Sequence, residues 1–151
     1  MKRLTYTALI AFALDRIIKI LVKSLVKAKD IVVIKNFFNI TLAYNFGGAW
    51  SILNGYRWLL ILVSFVALIL LYFVYRNERI TRRRGFVLGM LVGGIVGNLW
   101  DRISFGPVID YLDFNIFGYH FPTFNLADTL IVISVILLII IEFKGGKHVR
   151  G

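Results

Sequence analysis

Apolar segments long enough to cross a lipid bilayer constrain this chain more than any other feature. The clearest runs from Trp58 to Tyr75, eighteen residues without a charge between Arg57 and Arg76. Hydrophobic residues make up 59% of the 151-residue sequence, charged residues only 17%, and the mean hydropathy is +0.80. Soluble domains contain roughly 25% charged residues, because much of a small domain's surface stays in water. The sequence therefore predicts a protein that folds in a membrane.

Four segments are candidate membrane spans, at about residues 4–22, 58–75, 85–102 and 124–143. As a helix, a segment of about 20 residues crosses a ~30 Å hydrocarbon layer. Lys2-Arg3 and the following apolar residues have the form of a signal peptide, but hydrophobicity continues to Leu21, which favours a retained first helix. No repeat divides the chain. We therefore expect one polytopic membrane domain over residues 1–151, an all-α bundle of four transmembrane helices.

The basic residues predict how this bundle is oriented. The chain carries 18 Lys and Arg against 8 Asp and Glu, and five of the arginines lie within residues 76–84. Cytoplasmic loops are enriched in Lys and Arg, so we expect this loop and both termini in the cytoplasm. Four lysines in the longer first outer loop, at positions 23, 27, 29 and 35, run against this trend. Short basic clusters between apolar segments favour phospholipid as a partner and not nucleic acid.

The two outer connections differ in composition. Residues 31–50 are rich in β-branched and aromatic residues, and Asn45 and Gly47-Gly48 are turn residues. We expect them to form a small extracytoplasmic β-sheet at the membrane surface, whose aromatic residues contact lipid and substrate: Phe37, Phe38, Tyr44 and Trp50. Residues 102–123 are expected to form a second outer loop.

Acidic side chains are scarce, and most of them map to one side of the membrane. Five of the eight lie at the outer ends of spans or in the loop between them: Asp15, Asp101, Asp110, Asp113 and Asp128. An ionisable group near hydrocarbon is costly and usually has a function. Five such groups on one face therefore predict a functional site there.

Simpler interpretations exist for three of these acids. Asp15 and Lys19 are four residues apart and suit an ion pair on one helix face. Asp101 with Arg102 suits a polar helix end, and Asn125-x-x-Asp128 suits a helix N-cap with an acid in the first turn. Asp110 lies in the apolar segment Val108–Tyr111 and has no such explanation.

Paired carboxylates are the chemistry that the outer face offers. The chain has no cysteine, two histidines, and none of the serine-hydrolase, P-loop or zinc-peptidase motifs, so we expect no metal and no cofactor. Two converging carboxylates share one proton because like charges repel, which provides an acid and a base together. Such a pair activates water against an amide. The alternatives are a cation- or proton-coupled transporter with Asp15, Asp101 and Asp128 as a relay, and a membrane adaptor.

Five motifs lie in order along nearly the whole chain: LDRIIK at 14–19, NFGGAWS at 45–51, GGIVGNLWDR at 93–102, GPVIDYLDF at 106–114 and FNLADT at 124–129. Together they resemble the bacterial lipoprotein signal peptidase family, also called signal peptidase II. Gly48 and Trp50 replace the family's usual Ala and Phe, Tyr111 its Phe, and Thr129 its Ser. These departures concern shape and packing rather than the acids.

The resemblance implies an aspartyl endopeptidase that cuts diacylglyceryl-modified prolipoproteins before the lipid-bearing cysteine. It assigns Asp110 and Asp128 as the catalytic pair, and a helix start at Asn125 favours the anion on Asp128 and the acid on Asp110. Supporting and substrate-binding residues are expected at Asn45, Gly47, Asn98, Asp101, Arg102 and Asn125, with Asp15 and Lys19 bracing the outer helix ends. We expect a monomer in the bacterial cytoplasmic (inner) membrane.

Overall fold

Four helices and one four-stranded sheet make up the computed structural model of this chain, which describes residues 2–26, 29–48 and 52–146. In chain order the elements are α1 (Lys2–Leu25), β1 (Ile31–Ile34), β2 (Phe38–Asn45), α2 (Arg57–Tyr75), α3 (Arg82–Ser104), β3 (Val108–Ile116), β4 (Tyr119–His120) and α4 (Leu126–Gly146). Every helix end lies within three residues of its predicted position. Trp50, which we predicted near lipid, lies outside the described residues.

Three of the described helices are long and apolar enough to cross a membrane. The mean hydropathy is 2.6 for α2 and α4 and 1.3 for α3. The 24-residue α1 is as long but carries more charge, and its Asp15 and Lys19 are buried against the other helices. The charged residues of α1 lower its mean hydropathy, although Asp15 and Lys19 are buried and do not face lipid. The fourth span therefore stays a prediction.

Glycines of α3 set the spacing of the bundle. Gly85, Gly89, Gly93 and Gly97 recur every fourth residue and face α1, whereas Gly94 faces α4. A Cβ atom at Gly93 would lie 2.7 Å from the carbonyl oxygen of Ala8, and one at Gly94 would lie 2.7 Å from that of Ala127. Small residues at this spacing let helix backbones approach closely in membranes, where dispersion contacts rather than water exclusion drive association. The contacts run in the same order along α1 and α3, which are therefore parallel.

Helix α2 lies at the periphery, and of its residues Ile61 alone is buried. Its first residue contacts the C-terminal end of α3, because Arg57 donates hydrogen bonds to the carbonyl oxygens of Arg102 at 2.6 Å and Ile103 at 3.0 Å. At the other end of the bundle, α2 and α4 pack against an apolar cluster formed by Val87, Leu88, Leu91 and Leu138. Helices α2 and α4 both run antiparallel to α3.

The sheet is larger than the sequence predicted. Its strands are antiparallel in the order β1-β2-β3-β4, and Ala43 pairs with Asp110 across the centre. The predicted β region supplies β1 and β2, but the prediction of a loop over residues 102–123 is wrong, because that segment contains β3 and β4. The first four residues of β3 are all buried. A strand buried on both faces shows no alternation of apolar and polar residues, so the usual signal was absent.

Substituting Gly93 by Ala should destabilise the bundle, because the added methyl group meets backbone atoms of α1. Overpacking of this kind costs about 1–3 kcal/mol, so we expect Tm in detergent to fall by roughly 3–10 °C. Gly85→Ala is the matched control, since its methyl group would meet the flexible side chain of Ile80 at 3.3 Å. A Tm for Gly93→Ala equal to that of Gly85→Ala would contradict the close packing described above.

Candidate active site

Two acidic side chains lie on either side of Asn125 at the end of the bundle that the sheet covers, beside the C-terminal ends of α1 and α3 and the start of α4. Asp110 projects from β3, whose register with β2 places it opposite Ala43 and near Asn45. Asp128 projects from the first turn of α4. Asp110 is 1% exposed. A strand residue and a helix residue 18 positions apart in sequence are thus brought close by the return of the chain through β4 to the start of α4.

The carboxylate of Asp110 is held by two amide groups. Asn45 donates a hydrogen bond to its Oδ2 at 2.8 Å, and Asn125 donates one to its Oδ1 at 2.6 Å. The amide of Asn45 is itself oriented, because its Oδ1 accepts the backbone N–H of Gly47 at 2.9 Å. Both oxygens of Asp110 therefore have neutral donors, and no cation of the described residues lies at ion-pair distance from them.

Asp128 combines a structural and a chemical position. Its Oδ2 accepts the backbone N–H of Asn125 at 3.2 Å, and Oδ1 of Asn125 accepts the N–H of Asp128 at 3.0 Å. This reciprocal capping box confirms the predicted N-cap. Its other oxygen accepts a hydrogen bond from Asn98 at 2.7 Å. Asn125 therefore contacts both acids through one side chain, its oxygen at α4 and its nitrogen at Asp110.

Burial and the charge of Asp128 change the acidity of Asp110. Loss of water raises the pKa of Asp110, and the negative charge of Asp128 raises it further. The hydrogen bonds from Asn45 and Asn125 lower it, and the result is a pKa of about 6. Asp110 therefore takes up a proton in mildly acidic solution, where an exposed carboxyl group is still ionised.

A buried ion network lies directly behind the two acids. Lys19 Nζ is 2.8 Å from Asp15 Oδ2 and 2.8 Å from Asp101 Oδ2, and Arg16 pairs with Asp101 as well. The predicted Asp15–Lys19 ion pair is thus present as part of a larger network, in which Lys19, Asp15 and Asp101 are all 0% exposed. Two cations balance two anions, which buried charges require.

The network reaches the acid pair through Asn98. Lys19 Nζ donates to Asn98 Oδ1 at 3.1 Å, which leaves the amide nitrogen of Asn98 to point at Asp128. Asp15 Oδ1 accepts the backbone N–H of Ala127 at 3.2 Å and so anchors the first turn of α4. These contacts give Asp15 and Lys19 the bracing position that the sequence predicted, and they extend it to the start of α4.

Two cavities open beside the acids. The larger, about 490 Å³, is bordered by Asp128 and Arg102 and continues along α4 past Ile131, Val132 and Ile133. The smaller, about 220 Å³, is bordered by Asp110 and Tyr44. Asn45, Gly48, Pro122 and Thr123 line both cavities. The arrangement suits an amphiphilic ligand with a polar segment at the acids and an apolar segment along α4.

Not every predicted site residue faces the cavities. Asp101 belongs to the ion network, and Gly47 contributes its backbone N–H to Asn45. Asp113 lies farther along β3, where it accepts a hydrogen bond from Asn39 at 3.0 Å. Asp113 thus has partners of its own and borders neither cavity, although it lies on the same strand as Asp110.

Sequence reasoning assigned no structural role to Arg16 or Tyr111. Arg16 pairs with Asp101. Its position next to Asp15, within the first predicted span, could have suggested that it too has an acidic partner within the protein. The hydroxyl oxygen of Tyr111 accepts the N–H of Leu126 at 3.0 Å and so helps to cap α4. Burial raises the pKa of Tyr111 to about 12, so its hydroxyl group stays protonated. The contact between Tyr111 and Leu126 depends on how β3 packs against α4, for which the sequence has no signal.

Comparison with known proteins identifies the family. The family profile described as signal peptidase (SPase) II matches residues 7–144. A lipoprotein signal peptidase of Halothermothrix orenii is 41% identical over 140 residues, covering 92% of this chain and 94% of that protein. A lipoprotein signal peptidase of Staphylococcus aureus (strain Newman) is 38% identical over 136 residues, covering 89% and 83%.

Solved structures agree with the sequence comparisons. A bacterial membrane enzyme determined by the in meso method at 2.3 Å resolution has a TM-score of 0.86 and 33% identity, covering 98% of this chain and 92% of that one. A second, at 1.9 Å resolution, has a TM-score of 0.82 and 34% identity, covering 95% and 94%. The chain therefore belongs to the signal peptidase II family and is a peptide hydrolase.

Proposed function

We propose that this protein removes signal peptides from diacylglyceryl-modified prolipoproteins, using water activated between Asp110 and Asp128. The observation that carries the proposal is the position of Asn125, which donates to Asp110 and caps the helix turn that bears Asp128. One rigid group thus holds two acids beside an apolar cavity of about 490 Å³. Membership of a peptidase family favours this hydrolytic role over the transporter and adaptor alternatives.

Asp128 is the base in this mechanism. Its carboxylate accepts hydrogen bonds from Asn98 and from the backbone of Asn125, and it lies at the positive end of the α4 dipole. Each contact stabilises the anion. Asp128 removes a proton from water as the water oxygen attacks the scissile carbonyl carbon.

Asp110 is the acid. We assign the proton of the pair to Asp110, because its carboxylate has only neutral donors, burial raises its pKa to about 6, and an apolar substrate would exclude more water and raise this pKa further. Its O–H donates to the developing oxyanion and then protonates the leaving amine. After cleavage Asp110 is ionised and Asp128 carries the proton that came from water. Transfer of this proton from Asp128 to Asp110 restores the starting state of the pair.

The apolar cavity supports the lipidated substrate class. Its wall along α4 is formed by Ile131, Val132 and Ile133, which lie beyond Asp128 in the direction of the membrane interior. An acyl chain along this wall would place the adjoining peptide at the acids. Arg102, on the same cavity, provides a positive charge for carbonyl or phosphate oxygens.

Replacing either acid by its amide should abolish cleavage, because the amide of Asp110→Asn or Asp128→Asn can neither take a proton from water nor release one. We expect at least a ~10³-fold loss of turnover. The measurement is the mobility shift of a diacylglyceryl prolipoprotein in proteoliposomes. Asp113→Asn is the matched control and should cleave normally, since Asp113 lies on the same strand away from the cavities.

Thermal unfolding must show that each variant folds. Near-normal turnover by a folded Asp110→Asn or Asp128→Asn variant would refute the acid pair. The same assay with an unlipidated precursor should show no cleavage. Efficient cleavage of that precursor would argue against the lipid-binding role of the cavity while leaving the acid pair intact.

The pH dependence of kcat/KM should have a basic limb set by Asp110. The protonated form is required, so activity falls as pH rises through its pKa of about 6 in the free enzyme. Asn45→Ala removes a hydrogen bond that lowers this pKa, so the pKa rises and the basic limb moves to higher pH. Asn39→Ala, which removes the partner of Asp113, is the control and leaves the profile in place. A basic limb that stays fixed or moves to lower pH in Asn45→Ala would assign the proton to another group.

We further propose a single domain of four spans in the bacterial inner membrane, a monomer with both termini in the cytoplasm. Helix α1 is 24 residues long and packs parallel to α3 along its length, which supports its crossing the bilayer with the others. The arginines of residues 76–84 lie at the end of the bundle opposite Asp110 and Asp128. Lys and Arg mark the cytoplasmic side.

The lack of native cysteines makes this topology testable. A cysteine replacing Phe117 should react with a membrane-impermeant maleimide in intact spheroplasts, because this residue lies at the exposed turn between β3 and β4. A cysteine replacing Asn77, in the exposed loop after α2, should react only after the membrane is permeabilised. The reverse pattern would invert the orientation, and labelling of both sites in intact spheroplasts would rule out the four-span arrangement.

A further inference from the structure

A second groove lies at the end of the bundle away from the acid pair. It has a volume of about 520 Å³ and runs between the start of α1, the first turns of α3 and the last third of α4. Arg3, Arg82 and Arg83 form its mouth, and apolar side chains such as Phe86, Leu137 and Ile140 form its walls. Because α3 rises 1.5 Å per residue, the mouth is roughly 30 Å from Asp110 and Asp128. The groove is therefore separate from the proposed peptidase site.

The three arginines of the mouth have no acidic partner among the described residues. Within the described part of the chain, no carboxylate lies at ion-pair distance from any of them, and none lines the groove. Their neighbour Arg84 differs, because it pairs with Glu142 at 2.9 Å and lies 3.6 Å from Glu78. The acids at this end of the bundle are therefore occupied by Arg84, and the mouth keeps a positive charge.

The backbone adds to this positive charge. Helix α3 begins at Arg82, next to the mouth, and has no acidic residue in its first turn. The positive end of its dipole therefore lies on the same side as the three guanidinium groups. Arginine side chains bind phosphate oxygens through paired N–H donors. An anion at the mouth would be held by side chains from two helices, α1 and α3.

The apolar walls favour an anion that carries an apolar chain over an inorganic anion such as phosphate. Phe86 and Ile140 are 52% and 43% exposed, and they continue the groove from the arginines toward the middle of the bundle. Apolar surface of this kind contacts an acyl chain in a membrane. Positive charge at one end and apolar walls along the rest match a phospholipid whose headgroup as a whole carries a net negative charge.

We propose that this groove is a binding site for an anionic phospholipid, with the phosphate on Arg3, Arg82 and Arg83 and one acyl chain along Phe86 and Ile140. A zwitterionic phospholipid fits the walls equally but places a cation among three guanidinium groups, so it binds more weakly. The site lies between α1, α3 and α4, so an occupied groove holds the ends of these helices together.

Native mass spectrometry of the full-length protein in detergent tests this site by counting bound lipids. Dioleoylphosphatidylglycerol is the probe, and dioleoylphosphatidylcholine is its zwitterionic counterpart. We expect one tight phosphatidylglycerol site and no corresponding phosphatidylcholine site. The variant Arg82→Gln/Arg83→Gln should weaken phosphatidylglycerol binding roughly 10- to 30-fold, since each basic residue contributes about 1 kcal/mol to anionic-lipid binding.

The matched control removes two arginines from the connection between α2 and α3, at the same end of the bundle, that do not line the groove. Arg76→Gln/Arg79→Gln makes the same change in net charge and should leave the tight site in place. If both double variants weaken phosphatidylglycerol binding equally, the lipid is attracted by the overall positive charge and not by this groove. That result would overturn the proposal. Equal binding of the two lipids by the unaltered protein would overturn it as well.

Two further measurements separate a lipid from a free anion. Ile140→Trp narrows the apolar part of the groove without changing charge and should weaken phosphatidylglycerol binding. Inorganic phosphate at millimolar concentration should leave the bound lipid in place. If phosphate displaces the lipid, or if Ile140→Trp binds it normally, the groove is an anion site and not a lipid site. Turnover of Arg82→Gln/Arg83→Gln in detergent should match the unaltered protein, because the groove is roughly 30 Å from the acids.

Discussion

The packing at the sheet-covered end of the bundle depends on the ammonium group of Lys19. It is completely buried and lies 2.8 Å from the carboxylates of both Asp15 and Asp101. Removing one partner of such a network leaves an uncompensated charge in a medium of low dielectric constant, which costs several kcal/mol. Because Asp15 belongs to α1 and Asp101 to α3, the ammonium group joins the two helices at the level where their glycine contacts end. The glycines of α3 set the distance between α1 and α3, and the ion pairs of Lys19 fix how the two helices are aligned along their axes.

The same ammonium group determines the orientation of the amides that contact Asp110 and Asp128. An asparagine side chain can point either its oxygen or its nitrogen at a neighbour, and Lys19 decides this for Asn98 by occupying the oxygen. Oδ1 of Asn98 also accepts from Asn125 at 3.3 Å, so the two amides are ordered together. Each then has a nitrogen left to donate to a carboxylate, Asn98 to Asp128 and Asn125 to Asp110. Neutral donors thus hold both carboxylates, and this is the arrangement that the proposed sharing of one proton requires.

Helix positions could be predicted from the sequence, because they depend on local composition, whereas the pairing of Asp110 with Asp128 was predicted from the resemblance to a known family. Long uncharged segments fix the helices to within a few residues, and an acid such as Asp110 is conspicuous in an apolar segment. The contacts could not be predicted, since they join residues far apart in sequence. Asn45 and Asp110 meet only through the register of β2 and β3, and β3 was missed because both of its faces are buried. The role of Arg16 depends on the packing of α1 against α3.

The two ends of the bundle treat charge in opposite ways, and the solvent at each end explains the difference. At the sheet-covered end the charges are enclosed by helices and a sheet, so every cation in the network has an acidic partner within the protein. At the other end Arg3, Arg82 and Arg83 face a groove open to the surroundings, and the acids nearby pair with Arg84. Buried charges must be balanced by the protein, whereas charges at a membrane surface can be balanced by lipid phosphates. An excess of ten positive charges is therefore compatible with a buried site in which opposite charges are matched, because the excess lies where the membrane itself can neutralise it.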